Sequence, residues 1–353
     1  MINRKWPVLS LLVASSAVSL AAFVACSETG PDADPRTNGC ISDGCFDGSV
    51  VGEGGTEPGR DAALADSPVT ITDPLQGITP VATLVKGGFQ FTEGPVWIGG
   101  RLIFSDINTN TMHELLGDGG IGVFRQNSGG ANGNAVDSQG RLVTCEGNNR
   151  RVVRTNAQLQ NPAAVADFFA GKQYNSTNDA IVRADGTIYF TDPGYSAVDA
   201  GQDQEAVYRL APGAAANDAK RLAFDFNKPN GIALSPDGST LYVVDNGDGR
   251  LLNAKLNADG TVDGSFAKVA DTDGGDGMAV DDLGNLYVAG KAGILVFDKT
   301  GAALGTVTVP KGTPSNCTFG GADRKTLYIT SNLGGDTAAT GLYQIKLNVP
   351  GLP

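Results

Sequence analysis

Asn230-Gly-Ile-Ala-Leu-Ser-Pro-Asp-Gly-Ser-Thr240-Leu-Tyr-Val-Val244 is the stretch that decides the fold. A polar residue opens a short apolar strand, an Asp-Gly turn reverses the chain, and a β-branched and aromatic strand returns. The same arrangement occurs five more times. Its copies begin Glu93-Gly-Pro-Val-Trp-Ile98, Asn132-Gly-Asn-Ala-Val-Asp137, Asn178-Asp-Ala-Ile-Val-Arg183, Asp276-Gly-Met-Ala-Val-Asp281 and Asn316-Cys-Thr-Phe-Gly-Gly321. Successive openers lie 39 to 52 residues apart, and each precedes by 9 to 11 residues the Leu or Ile that starts its returning strand. That period is the length of one four-stranded propeller blade. The expected fold is all-β, a six-bladed β-propeller over residues 79–353. Returning strands such as Ile188-Tyr-Phe-Thr191 and Leu241-Tyr-Val-Val244 carry no charge on either face, as strands sandwiched between blades require. Residues 82–86 are expected to pair beside residues 341–346, closing the ring and hiding both edges. Beyond the first 25 residues only 163–169 read as helical.

A radial arrangement aims the six openers, Glu93, Asn132, Asn178, Asn230, Asp276 and Asn316, at one axis. A single Asn-Gly is a turn signal and nothing more; six openers in register are a site. Their carboxylate and amide oxygens are hard donors suited to calcium, magnesium or manganese, and two carboxylates balance one divalent cation.

Outward from the repeat, the first 25 residues are a different object. Arg4 and Lys5 precede an apolar run of small residues over 7–25, which reads as a bacterial export signal. Ala25-Cys26 resembles a lipobox, in which Cys26 is acylated and becomes the mature N-terminus; Phe23 stands where Leu is usual. The expectation is an exported, lipid-anchored protein of the cell envelope, or a periplasmic or secreted one if the signal is simply cleaved. Residues 26–78 are rich in Gly, Asp, Pro, Ser and Thr and are expected to form a disordered acidic tether. Ten acidic residues against Arg36 and Arg60 place −8 of the chain's net −12 there. Cys40 and Cys45 in the tether are expected to form a local disulfide in an oxidising envelope. Cys145 and Cys317, inside the repeat, read as buried free thiols.

Composition also excludes. No basic stripe with interleaved aromatics exists, so nucleic acid is not an expected partner. The single histidine, His113, falls on a strand after the first repeat core and is expected to lie away from the axis. That argues against a His-dependent Ser or Cys nucleophile and removes any multi-histidine zinc site. Chemistry on the axis is left to a metal ion and carboxylates, which suits hydrolysis of a small, oxygen-rich electrophile.

At these residues the chain resembles the regucalcin/gluconolactonase (senescence marker protein) family over roughly residues 85–348, with bacterial gluconolactonases the nearest branch. The resemblance is carried by Glu93-Gly-Pro-Val-Trp97, Phe104-Ser-Asp106, Cys145-Glu146, Asn149-Arg-Arg-Val152, Asn178-Asp179, Phe190-Thr-Asp-Pro193, Pro229-Asn-Gly231, Asp276-Gly-Met278 and Asn316-Cys-Thr-Phe-Gly-Gly321. It implies a six-bladed propeller with one divalent metal in the channel, calcium first, with magnesium, manganese or zinc as alternatives. By motif the metal ligands would be Glu93, Asn178, Asn230 and Asp276. The resemblance further implies that Asp276 activates water or binds substrate hydroxyls, that Asn132 lies near the substrate, and that Asp179 orients a ligand from behind. It assigns Asn316 nothing. Two positions depart from the gluconolactonase pattern: Gly147 stands where a His follows Cys-Glu, and Thr177 stands for the Pro of Ser-Pro-Asn-Asp. The function implied is a calcium-dependent lactonase that opens a sugar lactone such as glucono-1,5-lactone to its aldonic acid; a closed ring is expected to be a monomer. The alternatives are a promiscuous esterase or organophosphate hydrolase, and a non-catalytic envelope protein that binds calcium or carbohydrate. Loops 194–204 and 334–340 are the expected seat of specificity.

Overall fold

The computed structural model describes residues 72–195, 201–332, 338 and 340–352. The export signal, Cys26, Cys40, Cys45 and almost all of the tether lie outside the described residues. Six four-stranded antiparallel sheets make up the rest, joined by one small hairpin, Phe168–Phe169 with Lys172–Gln173. The innermost strands of blades one to six are Thr92–Ile98, Ala131–Val136, Ala180–Val182, Pro229–Leu234, Met278–Val280 and Thr313–Gly320. Each touches the next, and the sixth touches the first. The ring is closed as expected: Thr83–Gly87 pairs antiparallel with Gly341–Lys346, so blade six contains both ends of the propeller.

Alternation explains why the returning strands are apolar on both faces. In Thr240–Asp245, Leu241 and Val243 pack toward blade three, while Tyr242 and Val244 pack toward blade five. Tyr287 and Ala289 likewise face blade six, and Leu286 and Val288 face blade four. The core is thus six clusters, one per blade–blade seam. Each fully buried Leu or Val in them contributes about 1.5–3 kcal/mol. The Asp-Gly turns expected of the repeat hold, with Gly186 and Gly238 in the left-handed region at φ 91° and 65°, and Gly284 takes the same place in blade five at 84°.

Two expectations need correction. Residues 163–169 are not helical: Ala163–Ala166 is the outer strand of blade two and Phe168–Phe169 begins the hairpin. Ala166 is buried and Phe169 packs edge-on to Tyr208 at 5.1 Å, so packing against blade three overrides the helical preference of alanine. Ordered structure also begins before residue 79. A turn over 74–77 places Leu75 and Ile78 against the seam of blades five and six, and Asn348 hydrogen-bonds Pro74 O at 3.2 Å and Gln76 O at 2.8 Å.

Candidate active site

Each opener sits where its strand is irregular. The pairing register slips between Glu93 and Val96, Ala131 and Asn134, Pro229 and Ile232, and Pro314 and Asn316. A bulge re-aims side chains, and here it recurs beside the axis in four blades. In blades three and five the regular strand starts two residues after Asn178 and Asp276.

The residue after the opener sets how close the strands come. A Cβ on Gly231 would lie 2.5 Å from Asp276 O, and one on Gly277 would lie 2.0 Å from the Asn316 side chain. One on Gly133 would meet Asp179 Oδ1 at 2.1 Å. Only glycine permits these approaches, which let Gly133 N, Gly231 N and Gly277 N donate to Asn178 O, Asp276 O and Ser315 O at 2.8, 3.1 and 2.7 Å. Blade six carries Cys317 at that place and blade three carries Asp179. The result is a third carboxylate beside the two from the openers.

Glu93, Asp179, Asn230, Asp276 and Asn316 form one connected group. Asn316 Oδ1 accepts from Cys317 N at 2.8 Å, which turns Nδ2 toward Asp179 Oδ2 at 3.5 Å and toward Glu93. Asn230 donates to Asp276 and, at 3.0 Å, to the hydroxyl of Tyr195. Burial holds the Glu93 carboxyl well above the usual range, and the charges of Asp276 and Asp179 push it further. Burial, with the Asp179 charge added, raises Asp276 to about 7. Burial raises Asp179 to about 7 against the pull of its bonds from Ala180 N and Asn316. No Lys, Arg or His compensates any of the three among the described residues.

Asn178 and Asn132 are on the same ring but outside that network. Asn178 is buried and its side chain makes no hydrogen bond among the described residues. Asn132 Oδ1 is a buried acceptor with no donor among the described residues. Among the described residues no group of three or more His, Cys, Asp and Glu is placed to hold a metal, so a cation here depends on amide oxygens as well. The donor set fits one: buried carboxylates repel one another without a counter-charge, and every donor is oxygen. A cavity of about 1110 Å³ lies along the inner strands toward the Asp-Gly turns. Asp179 and Asn316 line it; Glu93, Asn132, Asn178, Asn230 and Asp276 do not. His113 is on the third strand of blade one, packed on Phe89 and Phe104 at ring separations of 5.1 and 5.5 Å, away from the axis. Cys145 and Cys317 are buried free thiols.

Sequence reasoning missed two features. Tyr195 reaches Asn230 from the loop after Ile188–Asp192, where no periodic signal marks it. Asp106, Asp192 and Asp245 end the second strands of blades one, three and four and accept the backbone N–H groups that lead into the openers. Phe91 N donates to Asp106 at 2.9 Å, Asn175 N and Ser176 N to Asp192 at 2.8 Å each, and Asn227 N to Asp245 at 2.7 Å. Their recurrence was visible as Phe-Ser-Asp106 and Phe-Thr-Asp192; what they hold was not. The two departures also prove to be neighbours, since a Cβ on Gly147 would lie 3.3 Å from Thr177 O and 3.0 Å from Ser176 Oγ.

Residues 91–332 match the model of the SMP-30/Gluconolactonase/LRE-like region. A gluconolactonase of Zymomonas mobilis is 30% identical over 294 residues, covering 73% of this chain and 82% of that protein. The solved structure of a gluconolactonase from Xanthomonas campestris superposes with a TM-score of 0.67 at 33% identity, covering 75% of this chain and 88% of the other. A calcium-binding regucalcin from Agrobacterium tumefaciens superposes with a TM-score of 0.64 at 22% identity, covering 76% and 93%, and shares the fold.

Proposed function

The chain belongs to the SMP-30/Gluconolactonase/LRE-like family, and on that premise we propose that it is a metal-dependent lactonohydrolase opening a sugar lactone, glucono-1,5-lactone first among them, to its aldonic acid. The observation that carries this reading is the buried, uncompensated carboxylate set of Glu93, Asp179 and Asp276 on the propeller axis. Glu93, Asn178, Asn230 and Asp276 would hold the cation, calcium in the first instance. When bound, the ion supplies Lewis-acid polarisation of the ester carbonyl.

The chain's own residues do the rest. Asn316 donates toward both Glu93 and Asp179 and fixes their orientation. The free Asn132 oxygen accepts a substrate hydroxyl. Asp276 takes a proton from the water that attacks the carbonyl carbon; the ring C–O bond then breaks, and the departing oxygen receives that proton. A carboxylate placed to take that proton is worth about 10²–10⁴-fold in rate. The leader over residues 1–25 supports export, with Cys26 as the lipid-bearing residue; loss of membrane association on Cys26→Ser tests it.

The deciding experiment strips the full chain of metal, reloads it with calcium and follows acid release from glucono-1,5-lactone. Asp276→Asn is run alongside with its metal content measured. Calcium-dependent turnover that falls at least about 10²-fold in the variant, with metal retained, is the expected result. Tight calcium binding without turnover of any lactone would instead make this a binding protein.

A further inference from the structure

We propose that Tyr195 is a substrate-positioning residue that selects hydroxylated ligands at the mouth of the site, held there by a Glu205–Lys228 brace. The inference deepens the lactonase reading and rests on it for the class of ligand. The Tyr195 hydroxyl accepts from Asn230 Nδ2 at 3.0 Å, so its oxygen is pinned to a candidate metal ligand. Its own proton has no acceptor among the described residues. The residue is 46% exposed, one of few large apolar side chains among the described residues left partly in solvent. A phenol with its oxygen anchored inside and its O–H free is a donor aimed at whatever occupies the mouth.

The brace is built for this placement. Glu205 accepts from Gly194 N at 3.1 Å, from Lys228 N, and from Lys228 Nζ at 2.9 Å. Lys228 Nζ also lies 5.2 Å from the centre of the Tyr195 ring and 3.4 Å from Gly194 O. The two segments joined are the loop carrying Tyr195 and the lead-in to Asn230, which belong to different blades. A Cβ on Gly194 would stand 2.8 Å from Glu205 Oε1, so glycine is what admits the carboxylate. Lys228 itself is held left-handed at φ 55°, a conformation a lysine adopts only when its surroundings impose it. A single carboxylate thus fixes Gly194 and Lys228 together, and the ammonium holds the ring from the brace side. The ligand this arrangement favours is polyhydroxylated, with an acceptor oxygen near the candidate cation; a plain aliphatic lactone gains nothing from the phenol.

The test measures binding apart from turnover. Glucono-1,5-lactam, the amide isostere of the lactone, is titrated calorimetrically into the calcium-loaded full chain, and calcium into the stripped chain. Tyr195→Phe is expected to weaken the lactam about tenfold, the loss of one neutral hydrogen bond, and to leave calcium affinity within about twofold. Lys228→Met, which loosens the brace but keeps the phenol, should weaken the lactam less, about threefold. Unchanged lactam binding in Tyr195→Phe overturns the proposal. So does a parallel loss of calcium binding, because Tyr195 would then act only by orienting Asn230. So does a wild-type protein that does not bind the lactam. A wild type that binds the lactam but hydrolyses no lactone sinks the hydrolase reading and leaves the role of Tyr195 standing.

Discussion

Gly231→Ala inserts one methyl between the inner strands of blades four and five. Its carbon would lie 2.5 Å from Asp276 O, 2.8 Å from Gly277 Cα and 2.9 Å from Gly277 C. All three are backbone atoms, so no rotamer change relieves the contact. Carbon atoms settle near 3.5–4.0 Å, so the strands must part by roughly 1 Å. The Gly231 N to Asp276 O bond, already 3.1 Å, is then lost. Overpacking of about 1–3 kcal/mol and a lost hydrogen bond of about 1 kcal/mol give an expected cost of about 2–4 kcal/mol. Asn230 and Asp276 ride on the two strands being pushed apart, so calcium affinity should fall about 10–100-fold as well. Urea unfolding of the stripped chain reads the first effect and calcium calorimetry the second. Gly140→Ala is the control: it is left-handed at φ 70° with nothing within 4 Å of the added carbon. It should cost about 1 kcal/mol and leave calcium binding alone. A Gly231→Ala protein that unfolds with its parent, or that loses stability yet binds calcium as tightly, refutes the idea that glycine-permitted contact sets the site.

Three further outcomes are expected. Asp179 and Asp276 have folded pKa values near 7, above their unfolded values, so their contribution to stability is full below about pH 4 and is lost as pH rises through 7; thermal unfolding of the stripped protein should show that decline between pH 4 and 8, calcium should abolish it, and a flat stripped profile would contradict it. Asp192→Ala leaves Asn175 N and Ser176 N without their acceptor, at about 1–3 kcal/mol each; urea unfolding should show a loss of at least about 2 kcal/mol, with weaker calcium binding through a loosened Asn178. Burial pushes the thiols of Cys145 and Cys317 upward, so peptide mapping after alkylation should find both unmodified in the native protein and labelled once it is unfolded; labelling of either in the native state would mean the seams open.

What could be read in advance was whatever repeats. The six openers announced themselves because a propeller places equivalent residues equivalently, and so did Asp237-Gly238 and its counterparts. The glycine after the opener was equally visible, but its purpose appears only when Gly231 is seen against the backbone of Asp276. Features that break the repeat were harder. Tyr195 follows Pro193 in a loop with no period, and its partner Lys228 is 33 residues away in the next blade. Residues 163–169 misled because local preference favoured helix while Ala166 and Phe169 had a seam to fill. Leu75 and Ile78 were two apolar residues at the end of an acidic stretch, too few to outweigh its composition.

Ring closure by Thr83–Gly87 on Gly341–Lys346 joins residues 261 positions apart, as Thr83 and Gln344. Among the described residues, the outer strand of the last blade is therefore the first strand of the chain, and its partner is the last. A chain cut short before Gly341 would lose Leu342, Tyr343 and Ile345 and leave two seams half-built. Such a fragment carries five sound blades but an open circle with apolar flanks. Closure of the ring by the Thr83–Gly87 and Gly341–Lys346 pair is therefore what covers the apolar flanks of the last blade.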